Sequence, residues 1–254
     1  MHATSNLFVA SLRMLLRDTT ALIGTVAFPV LFVLVFALFD LGITPGNDLH
    51  VGGGRTDYFD FVLPGLLAMG LMNFTMVGIA ASVARFRELR ILRRMTATPL
   101  SPSAFIGAQV TARLVLALVQ TLLMLGLGVA LGAAIQGHVG WLLALATLGN
   151  LTFLSLGFAI AGRARSVDAA NSMAGLATFP LMFLSGMFFP LAAMPQLAQW
   201  AAEALPITPL VNAMRAVALD GAAIGDLGLD LAKLLAWVPI ALLLARLSFR
   251  MADE

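Results

Sequence analysis

The sequence has no cysteine, a single lysine, a single tyrosine and few charges: Asp, Glu, Lys and Arg together make up 11% of its 254 residues. Without cysteine the chain forms neither disulfides nor thiolate-ligated metal or redox centres. His2, His50 and His138 are too scattered to give a metal-ligand spacing. Because Lys233 is the only lysine, there is no G-x-x-x-x-G-K-[ST] segment, and ATP cannot be held here by a Walker A loop. H-E-x-x-H and G-x-S-x-G are missing, and Gly126, Gly128 and Gly132 do not complete a G-x-G-x-x-G. No cofactor, metal or nucleic acid is expected on this chain. No Asp, Glu, Lys or Arg occurs between Leu114 and Gly162, or over 169–202. An intramembrane enzyme or a proton-driven antiporter needs polar or titratable groups inside the bilayer. Energy is therefore expected to enter from outside the apolar segments. A sodium-coupled carrier using backbone and hydroxyl ligands stays open.

What is abundant is apolar surface. Hydrophobic residues are 60% of the chain and the mean hydropathy is +0.96. A core cannot enclose that much apolar area, so lipid is the expected solvent, at about 20 apolar residues per crossing. The runs predict six spans at approximately 20–39, 61–84, 104–134, 140–162, 170–189 and 231–249. The first reads as a retained anchor rather than a cleaved leader, since no small-residue cleavage site precedes Asp40. Residues 5–18 fit either an interfacial helix or a plain basic leader. Between Phe189 and Pro209 the prolines of FFP, MP, LP and TP break any continuous helix, and 190–212 is read as a short helix or re-entrant hairpin at the surface. Residues 40–60, with Gly52–Gly54, read as a flexible loop.

Alternation of six spans puts Arg13, Arg17, Arg85, Arg87, Arg90, Arg93, Arg94, Arg163, Arg165, Arg246 and Arg250 on one side. Asp40, Asp48, Asp57, Asp60, Glu203, Asp220, Asp226 and Asp230 fall on the other, with Arg55 and Arg215. By the positive-inside rule the arginine side and both termini are cytoplasmic. The expected fold is an all-α integral membrane protein, a single transmembrane domain over 1–254.

The densest basic segment is RFRELRILRRMTATPLSP, 85–102. On a helical wheel Leu89, Ile91, Leu92 and Met95 gather opposite Arg87, Arg90, Arg93 and Arg94. Glu88 falls in the apolar arc, one turn from Arg85. A basic helix on anionic lipid explains the arginines but not an acid on the greasy face, which needs a partner. A protein docked beneath the membrane explains both, and the prolines after Thr98 end the helix sharply.

This segment, together with FLSGMFFPLAAMPQLAQWAAEALPITPLVNAMRAVALDG (183–221), resembles the membrane subunits of type-2 ATP-binding-cassette exporters, including the daunorubicin-resistance and nodulation-factor permeases. With the six-span layout the similarity covers nearly the whole chain. It implies that 85–98 is a coupling helix seated on a separate ATPase subunit, which binds ATP and Mg. The coupling residues are then Arg85, Glu88, Arg90, Arg93, Arg94, Thr98 and Pro99. Arg90-Ile91 stands where relatives often have Gly-Thr. The resemblance further implies a homodimer or paired permease in the inner membrane, outward transport of drug-like or lipid-like amphiphiles as in multidrug efflux, or else of a polysaccharide or lipo-oligosaccharide. It also suggests an extracytoplasmic gate at Phe189, Pro190, Pro206, Pro209 and Arg215. Arg215 is equally open to pairing with Glu203 or Asp220. Asn73, Thr75, Gln120, Asn150, Thr152, Ser155, Asn171, Ser172 and Ser185 either line a path or bond neighbouring helices. Arg113 and Lys233 are expected to snorkel from span ends. Gly128 and Gly132 are candidates for close helix packing, within one chain or between two.

Overall fold

The computed structural model describes residues 19–42, 49–51, 54–89 and 102–248, with isolated positions before Thr19. Helix α1 is Thr19–Gly42. A short antiparallel ribbon follows, β1 Leu49–Val51 against β2 Gly54–Thr56, with His50 opposite Arg55. The segment expected to be an unstructured loop thus carries a hairpin. Helix α2 runs through Tyr58–Glu88 and is π-helical over Asn73–Val77. The remaining helices are α3 Pro102–Ala130, α4 Val139–Arg163, α5 Val167–Leu184, α6 Gln196–Glu203, α7 Ile207–Asp220 and α8 Gly228–Ser248. Helices α2, α3, α4, α5 and α8 are each long and apolar enough to cross a membrane. Helix α1, 24 residues long with an apolar stretch over Val26–Leu38, measures about 36 Å at the helical rise per residue.

The helix ends follow local chemistry. Pro102 starts α3, where its missing N–H costs nothing. His138 Nδ1 accepts from Gly140 N–H at 3.1 Å at the start of α4, and Ser166 Oγ accepts from Ala169 N–H at 3.0 Å at the start of α5. Helix α2 is central. Residues Phe59 and Phe61–Met72 are buried without exception, as expected of a helix that is apolar on all sides. Helices α1, α3, α4 and α7 surround it, and α4 lies along α8.

The stretch read as 190–212 divides in two: 191–205 is largely exposed, with Leu197 77% and Trp200 63% exposed, while the chain from Pro206 onward is buried. A 3-10 turn at Leu191–Ala193 leads to α6, and the chain breaks at Ala204–Pro206. It then enters α7, which continues past residue 212 to Asp220. Ile207, Leu210, Val211, Met214 and Val217 of α7 are fully enclosed. Proline breaks the helix as expected, but the strongly apolar face that follows draws the chain into the core.

Contacts between distant residues sort into two ends, consistent with alternating helices. At one, Asp60 Oδ1 accepts from Ala134 N–H at 3.0 Å and Ala218 O accepts from Gln136 N–H at 2.9 Å. At the other, the last turn of α2 meets the α4–α5 turn. The first end carries Asp57, Asp60, Asp220 and Asp226, and the second Arg85, Arg87, Arg163 and Arg165.

Glycine decides two close approaches. A Cβ on Gly128 would meet Leu63 Cδ2 at 2.6 Å, so this glycine serves packing of α3 on α2 within one chain. Gly132 is beyond the helix at φ +108°, with nothing within 4 Å of a Cβ. The pair is one packing glycine and one turn glycine, not a shared face. Gly157 of α4 lies on the π-helical stretch of α2, where a Cβ would stand 2.6 Å from Met76 O. Backbone cannot yield as a side-chain tip does. Gly157→Ala is expected to lower stability by about 1–3 kcal/mol, read as a fall in the melting temperature of detergent-purified protein. Gly126→Ala, which meets nothing within 4 Å, serves as the unaffected control.

Candidate functional site

Arg85, Phe86, Arg87 and Glu88 form the last turn of α2, and Leu89 caps it. Arg90, Arg93, Arg94, Thr98 and Pro99 lie outside the described residues. The partner that Glu88 requires is inside the chain: its Oε1 accepts from the backbone N–H of Val167 at 2.8 Å. Val167 is the first residue of α5, so the carboxylate fills one of the donors a helix start leaves open and sits at the positive pole of the helix dipole. Arg87 Nη1 donates to Ala161 O at 2.9 Å, Ala164 O at 3.3 Å and Gly162 O at 3.5 Å. It closes the carbonyl end of α4, the negative pole. Two adjacent residues of α2, of opposite charge, therefore hold the opposite poles of α4 and α5 across their turn.

Arg113 does not snorkel. It is 3% exposed, and its guanidinium reaches into α2, with Nη1 donating to Phe74 O at 3.2 Å and Nη2 to Gly78 O at 2.8 Å and to Ser82 Oγ. The π-helical stretch displaces the regular ladder at this point, and Gly78 leaves room for the cation: a Cβ there would lie 2.5 Å from Nη1. Among the described residues no carboxylate pairs with Arg113.

Arg215 sits at the acidic end. It pairs with neither Glu203 nor Asp220; Glu203 Oε2 instead lies 3.6 Å from Lys233 Nζ. Arg215 Nε donates to Phe61 O at 3.2 Å, and Nη2 to Gly186 O at 3.0 Å and Met187 O at 3.4 Å. The guanidinium stacks on the Phe61 ring at 3.7 Å. Burial lowers its pKa to about 10, which leaves it cationic at neutral pH. The carbonyls it holds are those of the Leu-Ser-Gly break, where Gly186 takes φ +74° and its missing Cβ leaves space for Leu191. Of the other gate residues, Pro206 and Pro209 are buried, Pro190 is half-buried and Phe189 is 59% exposed. The inward aromatic is Phe188. It stacks with Phe36 at 5.7 Å, and its carbonyl accepts from the Tyr58 hydroxyl at 3.1 Å.

Most of the polar residues singled out in the spans bond back along their own helix rather than to a neighbouring one. Asn73, Thr75, Thr152 and Ser155 donate to carbonyls one turn back in their own helices, and Ser185 to Met182 O. Asn150 differs: it is fully buried, and neither side-chain atom has a bonded partner. Between α4, α5 and α8 a cleft of about 330 Å³ opens, lined by Leu156, Ile160, Met173, Leu181, Pro206 and Trp237, with Arg163 at the arginine-rich end.

The ABC-2 type transporter family model matches residues 3–219. The chain belongs to the ABC-2 type transporter family. It is 30% identical to nodulation protein J of Rhizobium leguminosarum bv. trifolii over 78% of this chain and 74% of that protein. It is 27% identical to the probable doxorubicin resistance ABC transporter permease protein DrrC of Mycobacterium tuberculosis, over 81% of this chain and 72% of that one. ABC transporter G family member 20 of Dictyostelium discoideum matches at 24% over 80% of this chain but only 28% of its own length. The permease is thus a multi-pass membrane subunit of an ABC transporter, with ATP hydrolysis in a separate subunit.

Sequence reasoning placed Arg87 on a basic face and Arg113 at a span end, without the carbonyls they hold, and did not name Phe188. Arg113 carried a usable signal, being the only charged residue from Pro102 to Gly162. Such a residue is expected to face the bundle interior. In this permease, Arg215→Ala strips the Gly186 and Met187 carbonyls of their donor. The expected loss is about 1–3 kcal/mol, with only partial recovery in Arg215→Lys, because a point cation lacks the planar fork. Thermal melting in detergent measures this, and an unchanged midpoint for Arg215→Ala contradicts it.

Proposed function

We propose that the permease exports a hydrophobic or amphiphilic molecule, drug-like or lipid-like, across the inner membrane. In this reading α1 is the sixth crossing, both termini are cytoplasmic, and the permease works as a pair of membrane subunits with two ATPase subunits. The observation that carries the reading is the arginine-rich segment leaving α2 at Glu88. It emerges at the end of the bundle where Arg87, Arg163 and Arg165 also collect. Arg85, Arg90, Arg93 and Arg94, with the Thr98-Pro99 exit, form the seat of the ATPase, where ATP and Mg act.

The apolar lining of the cleft between α4, α5 and α8 supports an amphiphilic cargo, since it offers apolar wall and a single cation at one end. The drug-resistance relative points the same way. A polysaccharide or lipo-oligosaccharide is the second reading, favoured by the nodulation relatives. An ion-coupled carrier is disfavoured by Arg113, whose guanidinium is closed by backbone carbonyls rather than turned to a path. Phe189, Pro190, Pro206, Pro209 and Arg215 form the outer gate in this scheme.

Reversing Arg90, Arg93 and Arg94 to Glu together is expected to reduce co-purification of the co-expressed ATPase subunit by at least about tenfold, with membrane insertion unchanged. Full recovery of the ATPase with this variant would refute the docking assignment.

A further inference from the structure

We infer that the push of the ATPase enters the bundle through α5, and that Glu88 is the positioning residue that delivers it; this rests on the permease reading above. The segment that follows Glu88 joins α2 to α3, and those two flanking helices are the obvious receivers of force. The bonds show a third. Glu88 holds the first N–H of α5, and Arg87 holds the last carbonyls of α4, so any displacement of the α2 terminus carries the α4–α5 turn with it.

Helix α5 is suited to respond. Only 17% of its most apolar window is enclosed, against 72% for α2. Over its first half the inner contacts are small: Ala170 and Ala174 pack with Ala80, Ala84 and Ala164, and only nearer the end does Leu181 join the main core. Such a seam has little interdigitation to resist sliding. At the far end, the carbonyls of Gly186 and Met187 just beyond α5 are held by Arg215. The helix is therefore pinned at its two ends by charged side chains and seated on alanines through its first half. Met173, Ala177, Pro180 and Leu181 of α5 form one wall of the cleft. A shift of its first turn changes the width of that cleft, linking the cytosolic segment to the apolar space with no polar relay through the membrane.

Val167 allows a direct test. It is the first helical residue, a position that suits proline. Ser166 before it is extended, at φ −144° and ψ 167°, the conformation proline imposes on its predecessor. Val167→Pro thus deletes the one N–H that Glu88 accepts and leaves Glu88, the arginines and the helix in place. Val167→Ala keeps the N–H. The chain has no native cysteine, so an environment-sensitive fluorophore on Leu176→Cys, at a position 78% exposed, reports α5 in the complex with its ATPase in lipid nanodiscs.

Trapping with ATP and vanadate is expected to shift the emission equally in the parent and Val167→Ala. The shift should be about fivefold smaller in Val167→Pro and in Glu88→Ala, and no smaller still in the double variant, while the ATPase co-purifies with Val167→Pro as with the parent. Glu88→Gln, which keeps an acceptor oxygen, should retain about half the response. A full shift in Val167→Pro overturns the inference, as do losses that multiply in the double variant. If Val167→Pro fails to insert, Glu88→Gln as deficient as Glu88→Ala overturns it. Loss of the shift with the ATPase still bound concerns α5 alone; loss of the ATPase from the arginine-reversed variant concerns docking.

Discussion

The bundle depends on one constraint: a backbone N–H or C=O freed by an irregular helix must find a partner within the protein, because lipid supplies none. This permease has several such irregularities. They include a π-helical stretch in α2, a tight α4–α5 turn and a Leu-Ser-Gly break after α5. Each is closed by a charged side chain from another helix rather than by a counter-ion. Arg113 closes the π-helical stretch. Arg87 and Glu88 close the turn, and Arg215 closes the break. Hydrogen bonds to a charged group are the stronger ones, and carbonyl dipoles spare each arginine the desolvation of a second ion.

The closures also fix what can move. A regular helix packed by large side chains, such as the first half of α2, is held along its length. Helix α5 is held at its ends, with a seam of alanines along its first half. The same device that satisfies the backbone therefore creates a joint, and the joint lies beside an apolar cleft at the end of the bundle that carries the arginines. Family membership makes the chain a membrane subunit of an ABC transporter, and among the described residues the buried arginines bond backbone carbonyls rather than one another.

Much of this was legible in the sequence. Long apolar runs announce the helices because each crossing needs its own length of hydrocarbon, and the bias of arginine to alternate loops sorts their ends. The prolines of 188–209 announced a break. Other features depend on pairs far apart in the chain. Glu88 and Val167 are 79 residues apart, so the need of Glu88 for a partner could be read, but not the partner. Arg215 has Glu203 and Asp220 near it in sequence, yet its side chain turns to carbonyls that a break displays only after folding. The π-helical stretch over Asn73–Val77 has no local signature; it is revealed by Arg113 and by Gly157 packed against it. Phe188 and Phe189, the latter proposed for the gate, are adjacent, and only packing shows that Phe188 is the one that turns inward.

The central claim is that the end of α2 and the start of α5 move as one body because a charged side chain joins them. Leu89 and Asp168 flank that joint and are exposed, so both accept spin labels in a chain free of native cysteine. Pulsed electron paramagnetic resonance on the complex with its ATPase should give the same 89–168 separation with and without trapped ATP. A separation that changes between the two states would contradict the account.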